Sequence, residues 1–157
     1  MGNKRKLPHS DISGNIMKCC FEVIKELGSG FLENVYKNAL FIVMKQKELN
    51  VLTEQSFEVV FRKHKIGKYI ADLIVENLII VELKCCQTLL PEHQAQLINY
   101  LKASEMPVGL LVNFGNQKLE YKRLHHPDKF IETEELEEGP LPFLLPQTEN
   151  KTLKIPS

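Results

Sequence analysis

The sequence predicts a one-domain α/β sandwich in which helices flank a mixed central β-sheet. Three observations point to it. Residues 11–48 carry two helical apolar stripes, separated by Gly28-Ser29-Gly30. Residues 53–84 carry strand-like apolar runs. A helix opened by Pro91 then separates those runs from two further ones, so that a crossover can join parallel strands. A chain of 157 residues is one domain's worth and can bury a substantial core.

The elements follow in order. In residues 11–27, Ile12, Ile16, Cys19, Cys20, Val23, Ile24 and Leu27 recur at helical spacing, and Ser10 or Asp11 can cap the start. A second helix runs from Phe31 to Glu48. Its apolar face of Leu32, Val35, Tyr36, Ala39, Leu40, Val43 and Met44 is broad enough to pack on a sheet. Residues 53–61 read as a strand through Phe57, Val59 and Phe61, and Arg62-Lys63-His64-Lys65 with Gly67 reads as a polar turn. Strands Tyr69–Val75 and Leu78–Lys84 are joined by Glu76-Asn77. That pair suits a two-residue hairpin, because Asn tolerates positive φ. Leu78-Ile79-Ile80-Val81 is continuously apolar, as a strand buried on both faces should be. Pro91 to Ala103 forms the third helix, proline favouring a first turn. Val108–Phe114 and Lys118–Leu124 are the last strands, with Gly115-Asn116 turning between them.

Composition sets further bounds. The 20 basic and 20 acidic side chains cancel, but residues 124–157 hold seven acidic and three basic groups, leaving the body mildly positive. Such a body can touch a polyanion locally without the strong field of a protein that coats duplex. Residues 1–10 read as a basic flexible N-terminus. Residues 125–157 read as an acidic, proline-containing extension able to engage a protein partner. No run approaches the ~18 apolar residues of a membrane span, and the basic start lacks the apolar segment of a secretory signal. The expectation is an intracellular protein, cytoplasmic or, in a eukaryote, nucleus-associated, with no membrane partner. The cysteines fall in adjacent pairs, Cys19-Cys20 and Cys85-Cys86. Adjacency does not match metal-site spacing and reads as free thiols in a reducing compartment.

The chemistry-bearing residues are acids where a core would not choose them. Asp72 lies between Ala71 and Leu73. Glu82 lies between Val81 and Leu83, and Lys84 leaves the same strand face as Glu82. Glu33 precedes Tyr36 by three residues and Leu40 by seven, which places it on the packed side of its helix. Together these residues suit a hard divalent cation, Mg²⁺ or Mn²⁺. Asp72 and Glu82 are the first ligands, with the Leu83 carbonyl and Glu33, directly or through water, as further oxygens. Lys84 can orient water or stabilise charge on a phosphate. On the next helix His93, Gln96 and Tyr100 share a face. Gln96 can orient water or a phosphate, and Tyr100 can bond a phosphate or stack on a base. Taken singly, each has a plainer reading: an acid capping a bulge, charges decorating an edge strand, an ordinary ion pair, a core tyrosine. Arg62, Lys63, Lys65, Lys68, Lys118, Lys122 and Arg123 are the expected phosphate contacts.

Several separated segments carry a resemblance. They are Leu27 to Tyr36, Ile70-Ala71-Asp72-Leu73, Val81-Glu82-Leu83-Lys84, His93 to Leu101 and Gly109 to Gly115. In this order the chain resembles the GxxExxY family within the PD-(D/E)XK nuclease superfamily over about residues 11–124. Gly30, Glu33 and Tyr36 match the name motif, Asp72 the metal-binding aspartate, and Glu82 with Lys84 the (D/E)XK element. Gln96 and Tyr100 resemble a motif of the RecB/Cas4-like branch, whose iron–sulfur cysteine pattern this chain does not share. Ile70-Ala71 stand where the superfamily label has proline.

The resemblance implies a restriction-endonuclease-like sandwich and a metal-dependent nuclease. DNA is the favoured substrate, as single strands or ends, with RNA as a second. Endonuclease and exonuclease action are both open, and a homodimer using the first helix is expected. The competing reading is a catalytically inactive nucleic-acid- or protein-binding module with the same fold.

Overall fold

The computed structural model describes residues 8–129. The expected N-terminal arm up to residue 7 and the acidic extension from residue 130 lie outside the described residues. Eight elements follow the predicted order: α1 (Ser10–Leu27), α2 (Glu33–Gln46), β1 (Val51–Phe61), β2 (His64–Val75), β3 (Ile79–Lys84), α3 (Pro91–Ser104), β4 (Val108–Asn113) and β5 (Glu120–His125). Among these residues no helix is long and apolar enough to cross a membrane.

The five strands form one sheet in the order β1-β2-β3-β4-β5. Only β3 and β4 are parallel, and α3 is the crossover between them. A chain that returns to the same end of a sheet needs such a connection. Two cores result. On one face Ile16, Cys20, Val23, Tyr36, Leu40 and Met44 of α1 and α2 pack on Val81, Leu83, Leu110 and Val112. On the other Leu97 and Leu101 of α3 pack on Ile74, Ile80 and Leu111. The strongly apolar β3 is buried on both faces, as a central strand must be. This is the mixed-sheet α/β sandwich the sequence predicts.

Three local expectations change. The polar turn shrinks to Arg62-Lys63, both at positive φ, because Phe61 pairs with His64 and the strand resumes at once. Residues 64–68 are thus ribbon, solvated on both sides and under no pressure to alternate. The β2–β3 hairpin loop is one residue longer than expected. Val75 pairs with Ile79, with Glu76 and Asn77 both at φ 53° and the Leu78 amide donating to the Val75 carbonyl. The apolar face of α1 is turned into the molecule's own core, so it is not free to form a homodimer; Phe21 and Leu27 are its exposed apolar residues.

One irregularity positions the site. Tyr69 and Ala71 belong to the core beneath α3, whereas Leu73 and Val75 belong to the core beneath α1 and α2. All four are odd-numbered and would share a face in a regular strand. β1 switches with its partner: Val51 packs on the α1/α2 side and Phe57 on the α3 side. The crossing falls at Asp72 and, opposite it, Glu54, a non-glycine residue at φ 54°. Residues beyond this kink form a two-stranded ribbon, because β2 pairs with β3 only through Leu73–Val75.

Candidate active site

The cleft opens where β2 leaves β3. Past the Leu73–Val81 pair the two backbones no longer share a ladder, and side chains fill the gap. The Leu83 amide donates to Asp72 Oδ2 at 2.9 Å. Glu82 Oε1 accepts from the Asp72 amide at 3.4 Å and from the Tyr69 hydroxyl. The two carboxyls also lie within hydrogen-bonding reach of each other. Burial first, and then the neighbouring Asp72 charge, push Glu82 up to about 8, against the bonds it accepts from Tyr69 and the Asp72 amide. Glu82 is 8% exposed and Asp72 half-buried. Ile80 faces the α3-side core while Val81 and Leu83 face the other, so alternation puts Glu82 and Lys84 together on the α3 side. Lys84 is half-buried and makes no ion pair among the described residues.

An aromatic stack walls this cleft. Tyr69 lies between Phe57 (ring centroids 5.9 Å, planes 21° apart) and Tyr100 (3.4 Å, 11°). Burial, then the Glu82 charge, push the Tyr69 hydroxyl far up, so it stays a donor. Burial and Glu82 also raise Tyr100, whose hydroxyl bonds Gln96. Gln96 is exposed at the rim. Tyr100 thus reaches the site, with one ring face spent on Tyr69. His93 turns back: its Nδ1 accepts from the Leu90 amide at 3.0 Å and caps α3.

Glu33 comes from the other side. It is exposed as the first residue of α2, not packed, because the helix begins beyond the sheet's cover. Its motif partners do structural work. Tyr36, fully buried, donates to the Gly28 carbonyl at 2.7 Å, accepts from the Phe31 amide at 3.2 Å and stacks on Phe114 at 4.7 Å. Gly30 sits at φ 109°, which a side chain rarely adopts. The loop between α1 and α2 is thereby wrapped around one phenol, and it delivers Glu33 to the end of β3. There burial, and then its charge, raise the Cys85 thiol; Cys86 is raised by burial and by Glu120, with Glu33 contributing less. Those two cysteines are free and face opposite cores. The chain behind them is fixed by Asn113. Its Oδ1 accepts from the Cys86 amide at 3.0 Å, and its Nδ2 donates to the Cys86 carbonyl at 2.9 Å. A Cβ on Gly115 would sit 2.1 Å from that same carbonyl.

Among the described residues no three His, Cys, Asp or Glu side chains gather into a metal cage. Asp72 and Glu82 meet; Glu33 stands near Cys85 and Cys86 at the end of β3 and hydrogen-bonds neither acid. The seven basic residues divide. Arg62 and Lys63 form the ribbon tip, Lys68 is exposed along it, and Lys65 pairs with Glu58 at 2.7 Å. Lys118 and Lys122 are exposed toward the opposite sheet edge. Arg123 donates instead to Ser13 Oγ at 3.3 Å and to the Pro8 carbonyl, tying down the start of α1. Sequence reasoning missed Tyr69, and it missed Lys37, which is buried on α2 and pairs with Glu54 at the kink at 2.9 Å. A lysine inside the Tyr36–Leu40–Met44 stripe was a readable signal for the latter.

Residues 10–124 match the PD-(D/E)XK nuclease superfamily, and the chain belongs to it. No curated protein matches the chain. Three solved chains match. One, the crystal structure of SSO0001, aligns with 74% of this chain and 78% of its own, at 19% identity and a TM-score of 0.49.

Proposed function

We propose that this chain is a Mg²⁺- or Mn²⁺-dependent nuclease of the GxxExxY family, in the RecB/Cas4-like branch. It hydrolyses phosphodiester bonds in DNA, with single strands or ends favoured. The observation that carries the reading is the meeting of Asp72 and Glu82 where β2 leaves β3, with Lys84 on the Glu82 face. Two carboxyls are pressed together, one of them raised to about 8 by burial and its neighbour, and a divalent cation between them would offset both effects. Their hard oxygens fit Mg²⁺. Asp72 and Glu82 hold it, with the Leu83 carbonyl and Glu33, through water, as further oxygens. The cation, when bound, supplies Lewis acidity toward the scissile phosphate. Lys84 orients the attacking water and stabilises charge building on the phosphoryl oxygens. Gln96, bonded to Tyr100, orients the phosphate at the rim. Arg62, Lys63 and Lys68 on the ribbon and Lys118 and Lys122 opposite hold the backbone without reading bases. Residues 11–124 carry this activity, and residues 125–157 are an extension for a protein partner. Any homodimer uses a surface other than the apolar face of α1.

The test is purified protein with labelled single-stranded DNA, duplex DNA and RNA, in Mg²⁺, Mn²⁺ or EDTA. Wild type is expected to cleave only with metal. Glu82→Ala and Lys84→Ala are each expected to lose at least ~10²–10³-fold in rate, with circular dichroism unchanged. Equal cleavage by all three proteins refutes the site. Binding without cleavage under any metal moves the chain to the inactive binding module.

A further inference from the structure

We infer that Tyr69 fixes Glu82 as a one-oxygen ligand and so sets the site's preference for Mg²⁺ over Ca²⁺; the inference rests on the nuclease reading above. Both hydrogen bonds to the Glu82 carboxyl from outside the acid pair, those from the Tyr69 hydroxyl and the Asp72 amide, fall on Oε1. Oε2 takes neither of these bonds and is the oxygen available to a cation that comes between the two acids. Asp72 is held in the same way, its Oδ2 accepting the Leu83 amide at 2.9 Å while Oδ1 is left over. Each acid therefore presents one oxygen.

That arrangement discriminates between cations. Mg²⁺ takes six ligands at ~2.0–2.1 Å and accepts one oxygen from each of one or two carboxylates, keeping several waters. Ca²⁺ takes six to eight ligands at ~2.3–2.6 Å and commonly grips a carboxylate by both oxygens. Two acids with one oxygen each engaged by the protein supply the first geometry and withhold the second.

The hold on Asp72 is backbone and cannot be removed by substitution. On Glu82 the side-chain share of the hold is one hydroxyl, beside the longer bond from the Asp72 amide. Tyr69 is 5% exposed, and its ring is gripped between Phe57 of β1 and Tyr100 of α3. The hydroxyl cannot swing away without breaking that stack. Tyr69 touches neither the reacting phosphate nor the cation, so it is a positioning residue, and Tyr100 acts in part by holding Tyr69.

Tyr69→Phe keeps the ring and removes the donor. Calorimetric titration of the full chain with Mg²⁺, Mn²⁺ and Ca²⁺, without nucleic acid, reads the consequence. The expected result is a rise of ~10-fold in the Ca²⁺-to-Mg²⁺ affinity ratio, the lower end of what losing a partner of a ligand costs at metal sites. A merely structural tyrosine would lower the melting temperature and leave the ratio alone; an unchanged ratio in a folded variant overturns the inference and spares the nuclease reading. A wild type that binds none of the three cations overturns both. Should Tyr69→Phe not fold, infrared spectra of the Ca²⁺-loaded wild type read denticity through the separation of the carboxylate stretches. One-oxygen ligation is expected, and two-oxygen ligation by Glu82 overturns the inference.

Discussion

The two halves of β2 are the same strand put to opposite uses. Leu73, Ile74 and Val75 pair with β3 and are buried on both faces. His64 to Lys68 pair only with β1, lie in water and carry three ionisable side chains around Ile66 and Gly67. Asp72 stands at the junction. A strand with neighbours on both sides must be apolar, and a strand with one neighbour is free to carry charge. The metal-binding role proposed for Asp72 suits that place between them, near enough to the core to be rigid and near enough to the gap to reach a ligand.

The sharpest break of this comparison is Leu73→Ala, which should lower stability in urea by about 2–5 kcal/mol, since the residue is fully buried between packed layers. Lys68→Ala in the other half should move stability by no more than about 0.5 kcal/mol. Equal costs would mean that the ribbon is part of the core.

At the junction, pH is the probe. The Glu82 pKa is raised from 4.5 to about 8, so the folded state holds a proton that the unfolded chain has released in that window. Stability of the metal-free protein, measured in EDTA, should therefore fall by a few kcal/mol as pH rises from about 4.5 to 8. Glu82→Gln should flatten that slope, and Mg²⁺ should restore the wild type at high pH. A wild type whose stability is constant across the window would contradict the pressed carboxyl pair.

The kink itself is held by Lys37 and Glu54. Lys37→Met should cost about 0.5–1 kcal/mol, because Glu54 is 68% exposed and solvent screens the pair. Hydrogen exchange should quicken in the ribbon more than in the Leu73–Val75 ladder; uniform quickening would say that the pair braces the whole sheet. The smallest effect concerns the ribbon's charges. A Lys63→Ala, Lys65→Ala double variant should flatten the salt dependence of DNA binding by roughly one unit rather than two, at about 0.7–0.9 per released ion. Lys65 already has a counterion in Glu58. An unchanged slope would place the backbone path elsewhere.

The order of all eight elements was legible because helical and strand periodicity is local, and the apolar run of β3 announced its own burial. Asp72, Glu82 and Lys84 were legible for the converse reason: a charge in an apolar strand is an anomaly that calls for a partner. Other features are not encoded locally. The change of face at Asp72 comes from β2 parting from β3, a pairing between distant segments. Tyr69 looked like one more strand aromatic, since its partner Glu82 lies 13 residues on. Glu33 was misplaced because the helical phase that buries Tyr36 and Leu40 says nothing about where the sheet stops covering the helix.

The ribbon also has a length. Residues 64–72 run past the last β2–β3 rung. At roughly 3.3 Å per residue they span at most about 30 Å, with Arg62 and Lys63 at the far end. Phosphates on one strand of a duplex are spaced about 3.4 Å along the axis, so tip and cleft can be some nine phosphates apart. On the proposed function the β1–β2 hairpin would act as a ruler: an oligonucleotide too short to touch both of its ends should forgo the tip's charge, and the shortest substrate held at full strength should measure the strand.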